Sequence, residues 1–316
     1  MKPTALMTIL GLSALAVPGA AAANVGPWSP AINAEQIPGT SPALNTPYLD
    51  GCPIQSGDGR RMYLASNRLD GVGGIDIWVS RRPHRHAPWG APENLGRPVN
   101  SEVDDFCPTP VGKQHLLFVS NRPGGCGDAD MYVARQRRDG WSAPRNLGCG
   151  VNSAAGEASP SLLFTHRGLE LYFSSNRPGG YAPEPAGAPT DADIYSTRLG
   201  RFGFAVPVPV PGLNTTDQDA RPNVRWDGLE IVFDSNRPGT LGGSDIYSAR
   251  RSSVWDGWPA PVNLGSAVNS PANESRASLS RTGETLLFGS NRPGSELSPT
   301  SPPVPSNDIY VTTRHR

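Results

Sequence analysis

Short apolar runs separated by polar turns rich in glycine and proline fill this chain, and one stretch displays the unit. Pro108-Thr-Pro-Val is a brief extended segment closed by a turn at Gly112-Lys113. His115-Leu-Leu-Phe-Val-Ser120 has the apolar, β-rich composition of a buried strand. After a loop, Asp130-Met-Tyr-Val-Ala-Arg135 alternates as a strand does, and a polar turn reaches Asp139-Gly140. Trp141-Ser-Ala-Pro-Arg-Asn-Leu147 then predicts an outer strand, where proline is tolerated because an edge need not donate. Four antiparallel strands in succession make one blade of a β-propeller.

The unit recurs five times. Ser-Asn-Arg carries Asn67, Asn121, Asn176, Asn236 and Asn291, spaced 54, 55, 60 and 55 residues apart, each followed by Arg68, Arg122, Arg177, Arg237 or Arg292. A Gly/Pro turn follows, then Asp-(Ile/Met)-(Tyr/Trp) beginning at Asp76, Asp130, Asp193, Asp245 and Asp308. A period near fifty means like units that bury their faces against one another. An aromatic residue followed by proline marks an outer strand at Trp89, Trp141, Phe204 and Trp258, while the core at 277–313 has none after it. Trp28-Ser-Pro-Ala-Ile supplies the missing strand from the other end of the chain. The expected fold is all-β: a five-bladed propeller of four-stranded antiparallel blades, closed by the N-terminal strand so that no sheet edge is free at the seam.

Composition changes the picture in three ways. Gly and Pro, 36 and 34 of 316 residues, would signal disorder if scattered, but here they recur at fixed repeat positions and mark turns. Balanced charge, 28 basic against 28 acidic residues with no basic block, excludes nucleic acid and anionic membrane as partners. Lys2, an apolar run from Ala5 to Val17 and small residues to Ala23 read as a secretory signal peptide over 1–23, cleaved near Ala22 or Ala23. Residues 24–316 then form one domain, expected to be monomeric and periplasmic or secreted. In that setting the four cysteines predict disulfides: Cys52 with Cys107, which share a repeat slot, and Cys126 with Cys149, in two loops of the second repeat.

Leu-x-Phe-x-Ser-Asn-Arg-Pro-Gly-Gly, Asp-Ile-Tyr and Trp-x-x-Pro-x-Asn-Leu-Gly-x-x-Val-Asn-Ser resemble the WD40-like β-propeller (PD40) repeat found in the TolB-like propellers of bacterial envelope proteins. The resemblance covers nearly all of residues 24–316. It implies a propeller, an exported location and a platform for protein or ligand binding. TolB's N-terminal α/β domain has no counterpart here.

Candidate chemistry gathers where the repeats are aligned on Asn45, Asn100, Asn152, Asn214 and Asn269. Five residues on, every repeat has a carboxylate: Asp50, Asp105, Glu157, Asp219 and Glu274. Strand alternation places these on the Ser-Asn-Arg face, beside five arginines. They either pair with the arginines and cap loop amides, as the Asp of Asp-Ile-Tyr would, or form a ring that binds a ligand and could seat a divalent cation. Seven residues after the same asparagines stand Cys52, Cys107, Ser159, Arg221 and Arg276, so two adjacent blades break the pattern with arginines suited to an anionic ligand. Pro-rich insertions lengthen the loops of blades three and five and are expected to be extended.

No catalytic-triad, zinc-protease or phosphate-loop motif occurs, and no histidine or cysteine grouping has metal-ligand spacing. The leading expectation is a non-catalytic binding module for an envelope protein, peptide or glycan, without a cofactor. The alternative is a carbohydrate-active hydrolase using two acids at the channel mouth, Asp105 and Asp219.

Overall fold

The computed structural model describes residues 25–166, 168–181 and 192–315. The expected signal peptide and the blade-three insertion after Tyr181 lie outside the described residues. Blade 1 consists of Asp50–Gln55, Arg61–Ser66, Asp76–Arg81 and Glu93–Asn94; blade 2 of Asp105–Val111, His115–Ser120, Asp130–Arg137 and Arg145–Asn146. Blade 3 is built from Glu157–Thr165, Gly168–Ser175, Asp193–Gly200 and Val208–Pro209. Blade 4 has Asp219–Val224, Glu230–Ser235, Asp245–Arg250 and Val262–Asn263. Blade 5 takes Glu274–Leu279, Thr285–Ser290 and Asp308–Thr313 from the end of the chain and Ile32–Asn33 from its beginning. Ile32 pairs with Val311 and Asn33 with Tyr310, so the ring closes as the strand count requires. Among the described residues no helix is long and apolar enough to cross a membrane.

The outer strands of blades 2 and 3 begin later than the aromatic signature predicts. Their third strands run eight residues and turn back in a tight hairpin, so Gly140–Trp141 pairs with Arg137 and Gln136, and Gly203–Phe204 with Gly200 and Leu199. Gly140 at φ 122° and Gly203 at φ 120° hold conformations a side chain would resist. The outer strand proper, two residues long, follows the proline.

Blades pack through their second strands. Phe118, Phe173, Phe233 and Phe288 are fully buried, and each stacks on the tyrosine of its own blade (Tyr132, Tyr195, Tyr247 or Tyr310) with ring centroids 6.1 Å apart. Burying one such ring contributes roughly 1.5–3 kcal/mol. The expected outer-strand aromatics serve packing too: Trp89 and Trp258 are buried, with Arg82 and Arg251 lying 3.8 and 4.0 Å over their rings.

The inner strands carry the feature that shapes the axis. All five lose register at one place, between Gly51 and Ile54, Phe106 and Thr109, Ala158 and Ser161, Ala220 and Asn223, and Ser275 and Ser278. Inside each shift stands a non-glycine residue in the left-handed region: Cys52 at φ 48°, Cys107 at 45°, Ser159 at 50°, Arg221 at 57° and Arg276 at 58°. Such a bulge bends the strand and re-aims its side chain, at a cost of about 1–3 kcal/mol per residue. Beyond the bulges, neighbouring blades satisfy one another's inner edges. Thr109 Oγ1 donates to the Pro160 carbonyl and Ser278 Oγ to the Pro53 carbonyl, both at 2.5 Å. The Val224 and Leu279 amides donate to Ser161 Oγ and Asn223 Oδ1, both at 2.9 Å. These cross-links leave fewer orphaned backbone groups along the channel.

Candidate functional site

Repeat residues first form a ring of ion pairs. The carboxylates Asp50, Asp105, Glu157, Asp219 and Glu274 begin the inner strands and are buried to within 1%. Arg68 bonds Asp50 and Arg237 bonds Asp219; the pairs Arg122–Asp105, Arg177–Glu157 and Arg292–Glu274 measure 2.5, 2.9 and 3.1 Å. Thr46, Ser101, Ser153, Thr215 and Ser270 each donate a backbone N–H and a hydroxyl to the same carboxylates. The asparagines of Ser-Asn-Arg (Asn67, Asn121, Asn176, Asn236 and Asn291) accept from the amides just before the carboxylates, at 2.8–2.9 Å. Aspartates of Asp-Ile-Tyr organise the loops: Asp130 accepts from the Cys126 amide and Asn146, Asp245 from the Leu241 amide and Asn263. Asp76 accepts from Asn94 at 2.8 Å, Asp193 from the Tyr181 amide at 2.6 Å, and Asp308 from Asn33 at 2.9 Å.

This geometry corrects the catalytic candidates. Asp105 and Asp219 are not acids open to the channel mouth, because each is fully buried under an arginine and a hydroxyl. The same donors occupy the ring where a divalent cation was entertained, and among the described residues no three metal-ligating side chains cluster. The blade-five loop is not extended either. Leu297 bridges Pro305, and the Ser298 and Ser306 amides donate to the Val304 and Glu296 carbonyls, folding the insertion back on itself.

The asymmetric chemistry lies on the axis. All five bulge residues line one cavity of about 30 Å³, to which every blade contributes. A disulfide between Cys52 and Cys107 closes one side, with Ser159 Oγ donating to Cys107 Sγ at 3.2 Å. The second disulfide, Cys126–Cys149, ties two loops of blade 2. Arg221 and Arg276 form the other side of the cavity, and behind them stands Asp234, a residue that the slot comparison did not reach. Arg221 Nη1 donates to Asp234 Oδ2 at 2.5 Å, and the Arg276 backbone N–H donates to Asp234 Oδ1 at 2.9 Å. The equivalent second-strand position holds Ala65, Val119, Ser174 and Gly289 in the other blades, so a comparison of that slot would have found it. Burial raises the Asp234 carboxyl above its usual range, against the pull of Arg221.

Arg276 is the least satisfied of these groups. Among the described residues its guanidinium has no ion pair and its Nε is buried without a partner, and burial together with Arg221 brings its pKa down to about 10. Glycine makes room for it: a Cβ on Gly51 would meet Asn307 Nδ2 at 3.1 Å and Arg276 Nη1 at 3.3 Å. A Cβ on Gly289 would meet Asn307 Nδ2 at 2.5 Å, and that nitrogen donates to the Asp50 carbonyl at 2.7 Å. Asp217 lies on the loop leading to blade 4, partly exposed, with Asp219 two residues further on.

No protein-family model and no curated protein sequence matches the chain. Solved structures do. The catalytic domain of an α-L-arabinofuranosidase from Coprinopsis cinerea is similar at TM-score 0.57 and 15% identity, over 92% of this chain and 97% of that one. An endo-arabinase from Bacteroides thetaiotaomicron is similar at TM-score 0.53 and 14% identity, over 88% and 97%. TolB from Acinetobacter baumannii aligns at TM-score 0.47 and 14% identity, over 84% and 54%. At such identities the likeness to the first two establishes the fold. The expectation of a non-catalytic binding module is corrected at this point, because arabinofuranosidases and arabinanases are among the structures that share the fold.

Proposed function

We propose that this protein is a carbohydrate-active propeller that hydrolyses a glycosidic bond at the mouth of its axis. The observation that carries the reading is the break in five-fold repetition at Arg221, Asp234 and Arg276. Glycoside hydrolysis needs two carboxyl groups in unlike environments, one as proton donor and the other as nucleophile or as base toward water. Five equivalent, ion-paired carboxylates cannot supply that difference. Asp234 stands apart from them, because burial raises its carboxyl above the usual range and it lies directly behind the axial cavity; buried under Arg221 as it is, it protonates a leaving oxygen in this reading only once Arg221 moves aside. Asp217, partly exposed on the neighbouring loop, is the second carboxyl in this reading. The sugar-cleaving names of the propellers similar in fold support the same class. The finer resemblance to the PD40 repeat, and export by the leader segment, are carried with it as proposals.

The test is release of reducing ends from arabinan, arabinoxylan and a panel of neutral and acidic polysaccharides by the folded protein. Turnover that falls on the order of 10²–10⁴-fold in Asp234→Asn, with the fold kept, supports the assignment. Absence of turnover on the whole panel, or full activity in Asp234→Asn, overturns it.

A further inference from the structure

The axial cavity has the construction of an oxyanion site. Its lining includes Arg221 and Arg276 and no carboxylate, and with Asp234 behind them the trio carries one net positive charge when Asp234 is ionised and two when it is protonated. Arg221 is committed to Asp234, with a quarter of its side chain still exposed. Arg276 is not committed: its backbone amide serves Asp234, while among the described residues its guanidinium makes no hydrogen bond or ion pair and its Nε is sealed from solvent without an acceptor. A buried donor left unpaired is costly, more so when charged, and the fold retains it in the one place where five bulges converge.

We propose that Arg276 and Arg221 bind the carboxylate of an acidic sugar, seated in the axial cavity while the rest of the ring lies at the mouth. A carboxylate answers the net positive charge in either state of Asp234 and the small volume, about 30 Å³, and its two oxygens suit the planar fork of a guanidinium. Binding gives the Arg276 donors their acceptors and offsets the repulsion between the two arginines. The sugar body of the ligand rests on the carbohydrate reading above; the anion site does not.

The experiment is calorimetric titration of the protein with D-galacturonate and D-galactose, which differ in a carboxylate against a hydroxymethyl, and with acetate and inorganic phosphate. Galacturonate should bind at least tenfold more tightly than galactose, and acetate should compete with it. Arg276→Ala and the shape-preserving Arg276→Gln should each weaken galacturonate at least tenfold, and Arg276→Lys should restore only part of the loss. Thermal melts of the variants identify any that fail to fold, and Arg221→Ala gives an independent second test. Acetate binding that depends on Arg276 without any preference for galacturonate upholds the anion site and overturns the sugar body. Turnover of a neutral polysaccharide, with no carboxylate bound, overturns the anion site and leaves the hydrolase reading standing. Phosphate bound in preference to every carboxylate, or galacturonate bound equally by Arg276→Gln, overturns the assignment.

Discussion

Arg122 holds its blade by several means at once. Its Nε donates to Ser120 Oγ at 2.9 Å, one Nη donates to the Val99 carbonyl at 2.7 Å and to Asp105, and the guanidinium lies 5.0 Å over Tyr132. Removing it strands a buried carboxylate, so Arg122→Ala should cost about 3–5 kcal/mol in urea denaturation. Arg97, paired with Glu102 at the surface, should cost no more than ~1 kcal/mol when changed to alanine. Equal losses from the two would mean that the ring is not what fixes the blades. The repeat spacing made this ring readable, and Arg221 and Arg276 stand out as breaks in one slot. Asp234 is harder to see, because Glu-Ile-Val-Phe-Asp-Ser reads as one more buried strand. Nothing in a cysteine, a serine or an arginine announces a left-handed backbone, yet that conformation is what turns five inner strands toward one cavity.

At the scale of the element, the third strand of blade 5 carries a pH-sensitive group. Burial, helped by nearby Asp50, raises Asp308 to about 6 from its usual 3.8. The folded chain therefore keeps this proton where the unfolded chain has lost it. Stability from this group is fully present below about pH 4 and is lost as pH rises through 6, by roughly 3 kcal/mol for a shift of that size. Glu230 acts in the opposite sense. Burial opposes its ionisation, but Arg314, Arg250 and Arg225 outweigh burial and hold it below its usual 4.5, so its contribution is lost as pH falls through that lowered value. Urea midpoints measured from pH 4 to 7 should fall across this range in the native protein and flatten in Asp308→Asn. An unchanged slope in the variant would assign the effect elsewhere. The strands themselves were legible from alternation and turns; the hairpins at Gly140 and Gly203 were not, because a proline-bearing run looks alike whether it begins an outer strand or follows a hairpin.

For the whole molecule, two disulfides, one ion pair and one strand pairing bear on the ring. The Cys52–Cys107 disulfide spans blades 1 and 2 across a separation of 55 residues, and reducing it should lower stability by about 4 kcal/mol on loop-closure entropy. Melts with and without reductant, compared with the Cys52→Ser and Cys107→Ser double variant, test this; identical melting in all three would show that the blades hold without it. The shorter Cys126–Cys149 tie acts within blade 2. Arg314 grips Glu230 with both ends of its guanidinium and so fastens the last strand of blade 5 to blade 4. Blade 5 also depends on Ile32–Asn33, where Asn33 bonds Asp308 across 275 positions of chain. Ile32 and Asn33, synthesised ahead of every other strand described, are thus seated last. Blades 1 to 4 can assemble as the chain emerges, while the opening strand must wait, unpaired, for the final one. That interval is the point in the life of the protein when an exposed strand edge is available to a chaperone or to a second chain, and its length is set by how fast the remaining polypeptide arrives.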